Sequence, residues 1–223
     1  MSTLTARIAA PITRFAIRQG SQLITGARAF YHHDDEQQCF KRPCIYFANH
    51  RSHGDFVLLW SVLPPKLRSI TRPVAGADYW RKSDFRRFIG EDVFNSLLIE
   101  RDAKERTEDP IDKMVNAVAN GDSLIIFPEG TRNMGEDKLL PFKSGLFHLA
   151  RTLAKRSVEA DFVPVWIDNL NRVMPKGEII PVPLLCKIHF GATVPLNGAN
   201  KVAYLERARE SLTALSGENR GNL

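Results

Sequence analysis

Two polar blocks in this sequence carry residue types that can do chemistry, and the first contains a histidine and an aspartate. It runs Asn49-His50-Arg51-Ser52-His53-Gly54-Asp55. A carboxylate can hold an imidazole in one tautomer and stabilise its protonated form, so His50 and Asp55 could form a general base. An α-helix would turn the two side chains onto different faces, so the pair requires a loop that folds between them, and Gly54 favours such a loop. Alternatively, Asp55 only caps the helix predicted after it, and His50 is a satisfied polar residue at a strand end.

The second block combines one acid with two cations. It consists of Phe127-Pro128-Glu129-Gly130-Thr131-Arg132, and Lys143 follows it ahead of a predicted helix. Arg132 offers a planar fork of donors suited to a phosphate, Lys143 offers a mobile positive charge, and Gly130 permits close approach of the backbone. The block therefore indicates an anion site, although exposed loops often carry such residues.

Both blocks follow apolar runs that are typical of buried strands. We expect strands at 44–48, 69–75, 96–100, 123–127, 161–166, 178–182 and 186–190, and helices at 56–63, 109–121, 143–156 and 199–215. This alternation predicts an α/β fold with a mostly parallel central sheet flanked by helices. In such sheets function lies at the carboxyl ends of strands, where both polar blocks stand.

The positive charge is concentrated in two stretches. The chain has 31 Lys+Arg and 25 Asp+Glu; residues 1–30 hold four arginines and no acid, and residues 66–87 hold seven basic residues against two acidic ones. Local positive charge suits an anionic surface or substrate, or it is an ordinary solvated face. In residues 1–35, apolar residues from Leu4 to Leu23 recur at helical spacing with arginines between them. This pattern predicts a basic amphipathic helical arm that lies in a membrane interface, or one that docks on the protein's own core. Residues 36–223 then form the single globular domain.

Several other classes of protein are not indicated. No apolar run is long enough to span a bilayer, and residues 1–30 lack the pattern of a secretory signal, so we expect a cytoplasmic chain. The three cysteines form no CxxC pair, and the spacing of His32, His33, Cys39 and Cys44 matches no usual zinc pattern, so no metal is expected. Gly121-Asp122-Ser123-Leu124 matches the nucleophile block of one esterase class, but Ser123 begins a predicted strand and no Asp-x-x-His pair could supply the base.

Together the two blocks resemble those of the glycerophospholipid acyltransferase family, whose best known members are lysophosphatidic acid acyltransferases. A third family block ends in an arginine after an apolar strand. It is similar to Leu97-Leu98-Ile99-Glu100-Arg101, with Glu in place of the commoner Asp, and a fourth is similar to Val163-Pro164-Val165. The resemblance runs from about residue 44 to residue 166. Asn95 and Ser96 depart from the third block, where Gly and Ala are usual, which leaves the identity of the acceptor open.

The resemblance implies an enzyme that moves a fatty acyl group from acyl-CoA or acyl carrier protein to the free hydroxyl of a lysophospholipid. The acceptor it implies first is 1-acyl-sn-glycerol-3-phosphate, which gives phosphatidic acid in phospholipid biosynthesis. His50 and Asp55 would be catalytic, and the thioester would be a co-substrate, with no cofactor. The residues implied to bind the acceptor are Arg101, Glu129, Gly130, Thr131, Arg132 and Lys143, with Glu129 either ordering its loop or contacting the polar groups of the acceptor.

The expected partners are the lysophospholipid, the acyl donor and an anionic membrane surface at the inner face of the membrane, with no nucleic acid. Two alternatives stay open. One is an acyltransferase for a different lysolipid, and the other is a non-catalytic protein that binds lipid at the membrane surface, in which His50 would be silent.

Overall fold

The strands that precede the polar blocks lie in one sheet. The computed structural model describes residues 3–32, 42–102, 104–168 and 185–217. Its strands are β1 (Arg28–Tyr31), β2 (Cys44–Ala48), β3 (Thr71–Gly76), β4 (Leu97–Ile99), β5 (Ser123–Ile126), β6 (Asp161–Ile167) and β7 (Lys187–Phe190). They form a seven-stranded sheet in the order β1-β7-β6-β2-β5-β3-β4.

The sheet is mostly parallel, as predicted. Central strand β2 pairs in parallel with β5 and β6, and β3 pairs in parallel with β5 and β4. Strand β7 is antiparallel to β6, and β1 runs parallel to β7, so these two strands run against the other five. Every residue of β2 is buried, which is typical of a parallel strand covered on both faces.

Helices cover the two faces of the sheet. They are α1 (Thr3–Thr25), α2 (Asp55–Val62), α3 (Pro65–Ile70), α4 (Ala77–Trp80), α5 (Asp84–Arg87), a π-helical turn (Phe88–Val93), α6 (Pro110–Ala119), α7 (Gly145–Lys155) and α8 (Lys201–Ala214). Helix α6 begins as its sequence predicts, because the Asp109 side chain accepts hydrogen bonds from two backbone N–H groups of the first turn and Pro110 occupies that turn. Helices α6, α7 and α8 pack on one face, and α2 packs on the other.

The structure differs from the predicted strands at two places. Residues 69 and 70 belong to helix α3, which Pro65 begins, so the strand predicted at 69–75 starts only at Thr71. Strand β1 was not predicted, since residues 28–31 were assigned to the N-terminal arm; they add a strand to the sheet instead. The strand predicted at 178–182 lies outside the described residues.

The N-terminal arm is helical through Pro11, and its two sides differ. Ala10 is buried and Ile17 packs beside it against the core on the α2 face of the sheet. Ile8, Ile12 and Phe15 remain 61%, 65% and 64% exposed. The arm therefore docks on the core along one side and leaves an apolar stripe uncovered along the other. Within the described residues, no helix is long and apolar enough to cross a membrane.

A gap opens between β3 and β5 at the carboxyl end of the sheet. The two strands pair as far as Pro73 and Ile125. Beyond that point, among the described strands, β3 pairs only with β4. On the other side of the gap the chain turns, since the Phe127 carbonyl accepts a hydrogen bond from the Gly130 N–H. The two strands therefore diverge beside the second polar block.

Candidate active site

The first polar block brings His50 and Asp55 into direct contact. His50 Nδ1 lies 2.8 Å from Asp55 Oδ2. The loop between β2 and α2 does fold between them as the spacing requires, but Gly54 has a φ of −83° that any residue can adopt. The flexibility of glycine is therefore not what closes this loop.

The Asp55 carboxylate, and not Gly54, organises the loop. Its Oδ2 accepts hydrogen bonds from the backbone N–H groups of Arg51 at 2.6 Å and Ser52 at 2.8 Å, besides its contact with the imidazole. Asp55 is 1% exposed and is the first residue of helix α2, whereas the N-cap position is Gly54, which provides no side-chain cap. The alternative in which Asp55 merely caps the helix is therefore wrong.

His50 is fixed by three further contacts from the second block and the loop after it. Its imidazole stacks on the Phe127 ring with centroids 4.1 Å apart. Its backbone N–H donates to Glu129 Oε1 at 2.8 Å, and its carbonyl accepts the Asn133 N–H at 2.7 Å. A neutral imidazole that donates its Nδ1 proton to Asp55 keeps a lone pair on Nε2, which is the arrangement of a general base.

Glu129 connects two loops and does not line the open part of the site. Its Oε1 accepts from His50, and its Oε2 accepts the backbone N–H of Leu140 at 2.8 Å. The side chain is 1% exposed, and this burial raises the pKa of Glu129 above its usual value, while the two backbone hydrogen bonds oppose the shift. Of the two expected roles, this geometry fits the one in which Glu129 orders its loop. The expectation that it contacts the acceptor finds no support, because the buried Glu129 is not among the residues that line the cavity described below.

A cavity of about 420 Å³ opens at the imidazole. It occupies the gap between β3 and β5, with residues 73–76 on one side and residues 126–128 on the other. Its inner walls are apolar and include Val74, Met114 and Leu149. A cavity of this size with apolar walls and a few polar groups at one end is typical of a site for a small molecule.

The mouth of this cavity is cationic. Of the residues that the structure describes, four basic side chains line it, namely Lys82, Arg101, Arg132 and Lys143, against one carboxylate, that of Asp78. Arg101 and Asp78 lie 3.9 Å apart, and the other three cations form no ion pair with any described carboxylate. Such a set favours an anionic ligand, because unpaired cations in a concave site concentrate positive potential.

Gly130 matters for the position of Lys143. Gly130 has a φ of +71°, and a Cβ atom there would lie 3.1 Å from Lys143 Cγ. The Lys143 backbone N–H also donates to the Pro128 carbonyl at 2.7 Å, so the two parts of the second block are joined. Gly145 begins helix α7 and lines the same cavity, and the N-terminal end of a helix favours negative charge. Thr131 is exposed and also lines the cavity.

Sequence reasoning missed an aromatic and basic column beside the mouth. The His53 ring stacks on the Tyr79 ring with centroids 5.2 Å apart, and the Arg86 guanidinium lies over the Tyr79 ring at 4.5 Å from its centroid. Burial lowers the pKa of His53, and the charge of Arg132 lowers it further. The imidazole therefore favours its neutral form. The basic stretch 66–87 was the available signal, but a charge count does not say which of its members face the site.

The structure also decides against the esterase interpretation. Ser123 is buried at the start of β5, and its hydroxyl accepts the backbone N–H of Cys44 at 2.9 Å. That position lies at the opposite end of the strands from His50.

The zinc spacing considered above involves four residues, and two of them, His33 and Cys39, lie outside the described residues.

Comparisons with known proteins place this chain in a family. The Acyltransferase family model matches residues 27–168. A 1-acyl-sn-glycerol-3-phosphate acyltransferase of Saccharomyces cerevisiae is 30% identical over 63% of this chain and 44% of its own length. A Dictyostelium discoideum protein named Taffazin is 29% identical over 77% of this chain and 61% of its own length. The chain thus spans about half the length of these curated relatives.

One solved structure has the same fold. The crystal structure of the 1-acyl-sn-glycerophosphate acyltransferase of Thermotoga maritima superposes with a TM-score of 0.69 at 20% identity. The match covers 100% of this chain and 85% of that one. The predicted α/β fold with an N-terminal helix is therefore confirmed.

Proposed function

This chain belongs to the acyltransferase family, and we propose that it moves a fatty acyl group from a thioester to the free hydroxyl of 1-acyl-sn-glycerol-3-phosphate, giving phosphatidic acid. The observation that carries the proposal is the His50–Asp55 pair at a cavity with apolar walls and a cationic mouth. The names of the curated relatives support this choice of acceptor. The donor is acyl-CoA or acyl carrier protein, which acts as a co-substrate, and no cofactor is required.

The proposed chemistry uses His50 as the base. Nε2 takes the proton of the acceptor hydroxyl while the hydroxyl oxygen attacks the thioester carbonyl carbon. The tetrahedral intermediate then breaks its C–S bond, the acyl group stays on the acceptor oxygen, and the thiolate leaves and receives the proton from the imidazolium. Asp55 orients the ring through Nδ1 and stabilises its protonated form between these two steps. The acyl group passes directly, without an acyl-enzyme.

We assign the acceptor phosphate to the cationic mouth. Arg132 and Lys143, which have no described carboxylate partner, would bind its oxygens, and Arg101 would join them by leaving its long contact with Asp78. Gly130 and Thr131 would contact the same group. Glu129 holds the loop that carries Gly130, Thr131 and Arg132.

Attachment to a membrane surface is also proposed, with the protein on the cytoplasmic side at the inner face of the membrane. The exposed stripe of Ile8, Ile12 and Phe15 on α1 fits the apolar boundary of a bilayer, and the arginines beside it fit anionic headgroups. We propose that the helical part of residues 1–35 is this attachment arm, since residues 28–31 form β1 in the sheet, and that residues 36–223 carry the acyltransferase site. Nucleic acid is not proposed as a partner.

An acyltransferase for another lysolipid is the second candidate, and one observation favours it. The carboxylate of Asp78 lines the mouth beside Arg101, so a headgroup that carries an amine as well as a phosphate would find a partner there. Asn95 and Ser96, which depart from the family block, immediately precede β4, the strand next to β3.

One assay separates these proposals. Purified protein is incubated with a panel of lysolipids and with both kinds of acyl donor, and the products are identified by mass spectrometry. Conversion of 1-acyl-sn-glycerol-3-phosphate above all other acceptors supports the first proposal, and preference for an amine-containing lysolipid supports the second. If no acceptor is converted and His50→Ala leaves lipid binding unchanged, the protein is the non-catalytic lipid-binding alternative.

A further inference from the structure

A second cavity lies away from the active site, between the arm helix and the body of the protein. It has a volume of about 320 Å³ and is bounded by α1, α2, α3 and the π-helical turn. Two arginines line it, Arg14 from α1 and Arg68 from α3, together with the polar side chains of Ser69 and Asn95. The acyl-transfer chemistry proposed above uses none of these residues.

Two guanidinium groups line this cavity, and a third, that of Arg18, lies near the one of Arg68. Arg14 donates to the backbone carbonyls of Val93 and Asp92, and Arg68 lies over the Trp60 ring at 5.3 Å from its centroid. Burial lowers the pKa of Arg68, and the nearby charge of Arg18 lowers it further. Burial also lowers the pKa of Arg14. The Arg18 Nη1 donates to Gln19 Oε1 at 2.8 Å, whereas its buried Nε has no hydrogen-bond partner among the described residues.

None of the three arginines forms an ion pair with a carboxylate in the described part of the chain. Two acids also line the cavity, but neither forms an ion pair with these arginines. Glu91 lies 3.7 Å from Arg81, and Asp92 is exposed and contributes its backbone carbonyl to Arg14. The like charges of these partly buried arginines repel one another, and an anion bound between them would relieve that repulsion.

We propose that Arg14, Arg18 and Arg68 bind the phosphate group of an anionic lipid headgroup. The cavity lies beside the arm helix, and this position indicates that the phosphate belongs to a lipid and not to a soluble compound. Arg18 lies about 60° around α1 from Phe15, whose ring is on the exposed apolar stripe. When that stripe enters the apolar boundary of a bilayer, the flanking arginines reach the level of the phosphates. The inference rests on the membrane attachment proposed above, but not on catalysis.

The test compares two variants with one matched control on the full chain. Arg68→Gln removes one guanidinium from the cavity, and Arg18→Gln removes the one near Arg68. Arg7→Gln makes the same change of charge on an exposed arginine of the same helix. Binding is measured by sedimentation with phosphatidylcholine vesicles that contain phosphatidic acid, and with vesicles of equal surface charge supplied by oleate, which has a carboxylate and no phosphate.

The expected result is a difference between the two vesicles. Arg7→Gln should weaken binding about fivefold on both, the effect of one basic residue near an anionic surface. Arg68→Gln should lose about tenfold or more on phosphatidic acid, because a charge-assisted contact is lost, and only about as much as Arg7→Gln on oleate. Arg18→Gln should show the same pattern of vesicle binding as Arg68→Gln. Thermal unfolding and turnover of a dispersed short-chain acceptor should stay at the wild-type level, which shows that the variants fold.

Two results would contradict the proposal. If Arg68→Gln and Arg18→Gln bind phosphatidic acid vesicles as well as Arg7→Gln does, the arginines do not bind lipid phosphate. In a second arm, inorganic phosphate is compared with chloride at matched ionic strength. If phosphate raises the unfolding midpoint of the wild type but not of Arg68→Gln, while the vesicles show no difference, the site binds a soluble phosphate compound and the lipid source is wrong.

Discussion

Replacing Glu129 by glutamine should slow catalysis without weakening acceptor binding. The carboxylate accepts one hydrogen bond from His50 and one from Leu140, both at 2.8 Å. Glutamine has a single accepting oxygen, so one of these N–H groups would face the amide NH₂. The lost charge-assisted bond is worth about 1.5–3 kcal/mol. Part of this loss of stability is offset, because the neutral glutamine avoids the cost of burying a charge, the same cost that raises the pKa of Glu129.

The effect on rate follows from geometry. Glu129 fixes the backbone of the proposed base and does not line the cavity, and a displacement of about 1 Å at a reacting group can reduce the rate about 10²-fold. We therefore expect Glu129→Gln to lower kcat by about 10- to 100-fold and to leave the KM for the acceptor nearly unchanged. Glu136→Gln, which changes the same charge at an exposed position of the neighbouring loop, should leave both constants unchanged. A raised KM for the acceptor with wild-type kcat would refute this reasoning and show that Glu129 contacts the acceptor.

The raised pKa gives this prediction a second readout. A carboxyl group with a higher pKa in the folded state than in the unfolded state binds its proton more tightly when folded. Its contribution to stability is therefore fully present below the unfolded pKa and is lost as pH rises through the folded pKa. The free energy of unfolding of the wild type, measured relative to Glu129→Gln by chemical denaturation, should fall as pH rises across that window. A difference that rises with pH would show that the hydrogen bonds outweigh burial.

Three other predictions concern the site and the arm. His50→Ala should reduce acyl transfer by about 10²–10⁴-fold while the protein remains folded, whereas His148→Ala, an exposed histidine on α7, should be fully active. Arg132→Lys should raise the KM for the phosphate acceptor more than the KM for the donor, because lysine keeps the charge but loses the bidentate fork; equal changes in both constants would favour a structural role. Phe15→Gln should weaken sedimentation with anionic vesicles and leave turnover of a dispersed short-chain acceptor unchanged, and undiminished vesicle binding would show that the exposed stripe does not insert.

Much of the site could be predicted because its residues are consecutive in sequence and follow buried strands. The first block follows β2 and the second follows β5, and these strands are parallel neighbours, so their carboxyl ends meet. The role of Asp55 was only half predicted. Its contact with His50 was expected from residue types, but its bonds to two backbone N–H groups depend on loop conformation, which side-chain chemistry does not reveal.

Other features depend on contacts between distant parts of the chain, which local patterns do not report. Strand β1 forms because β7 offers it an edge, and nothing in residues 28–31 alone distinguishes this from the end of an arm. The π-helical turn Phe88–Val93 packs against α1, where Arg14 binds its last carbonyls. The column of His53, Tyr79 and Arg86 joins segments that only tertiary structure brings together.

The divergence of β3 from β5 determines which properties of the cavity a point substitution can alter. Along the gap the facing walls include main chain, because residues 73–76 and 126–128 border it from opposite sides. Replacing a side chain such as Met114 changes the depth of the cavity, since that side chain reaches inward from α6. The breadth of the slot depends instead on where the ladder of backbone hydrogen bonds stops. Depth can thus vary among related sequences by single replacements, while breadth is inherited with the path of the backbone.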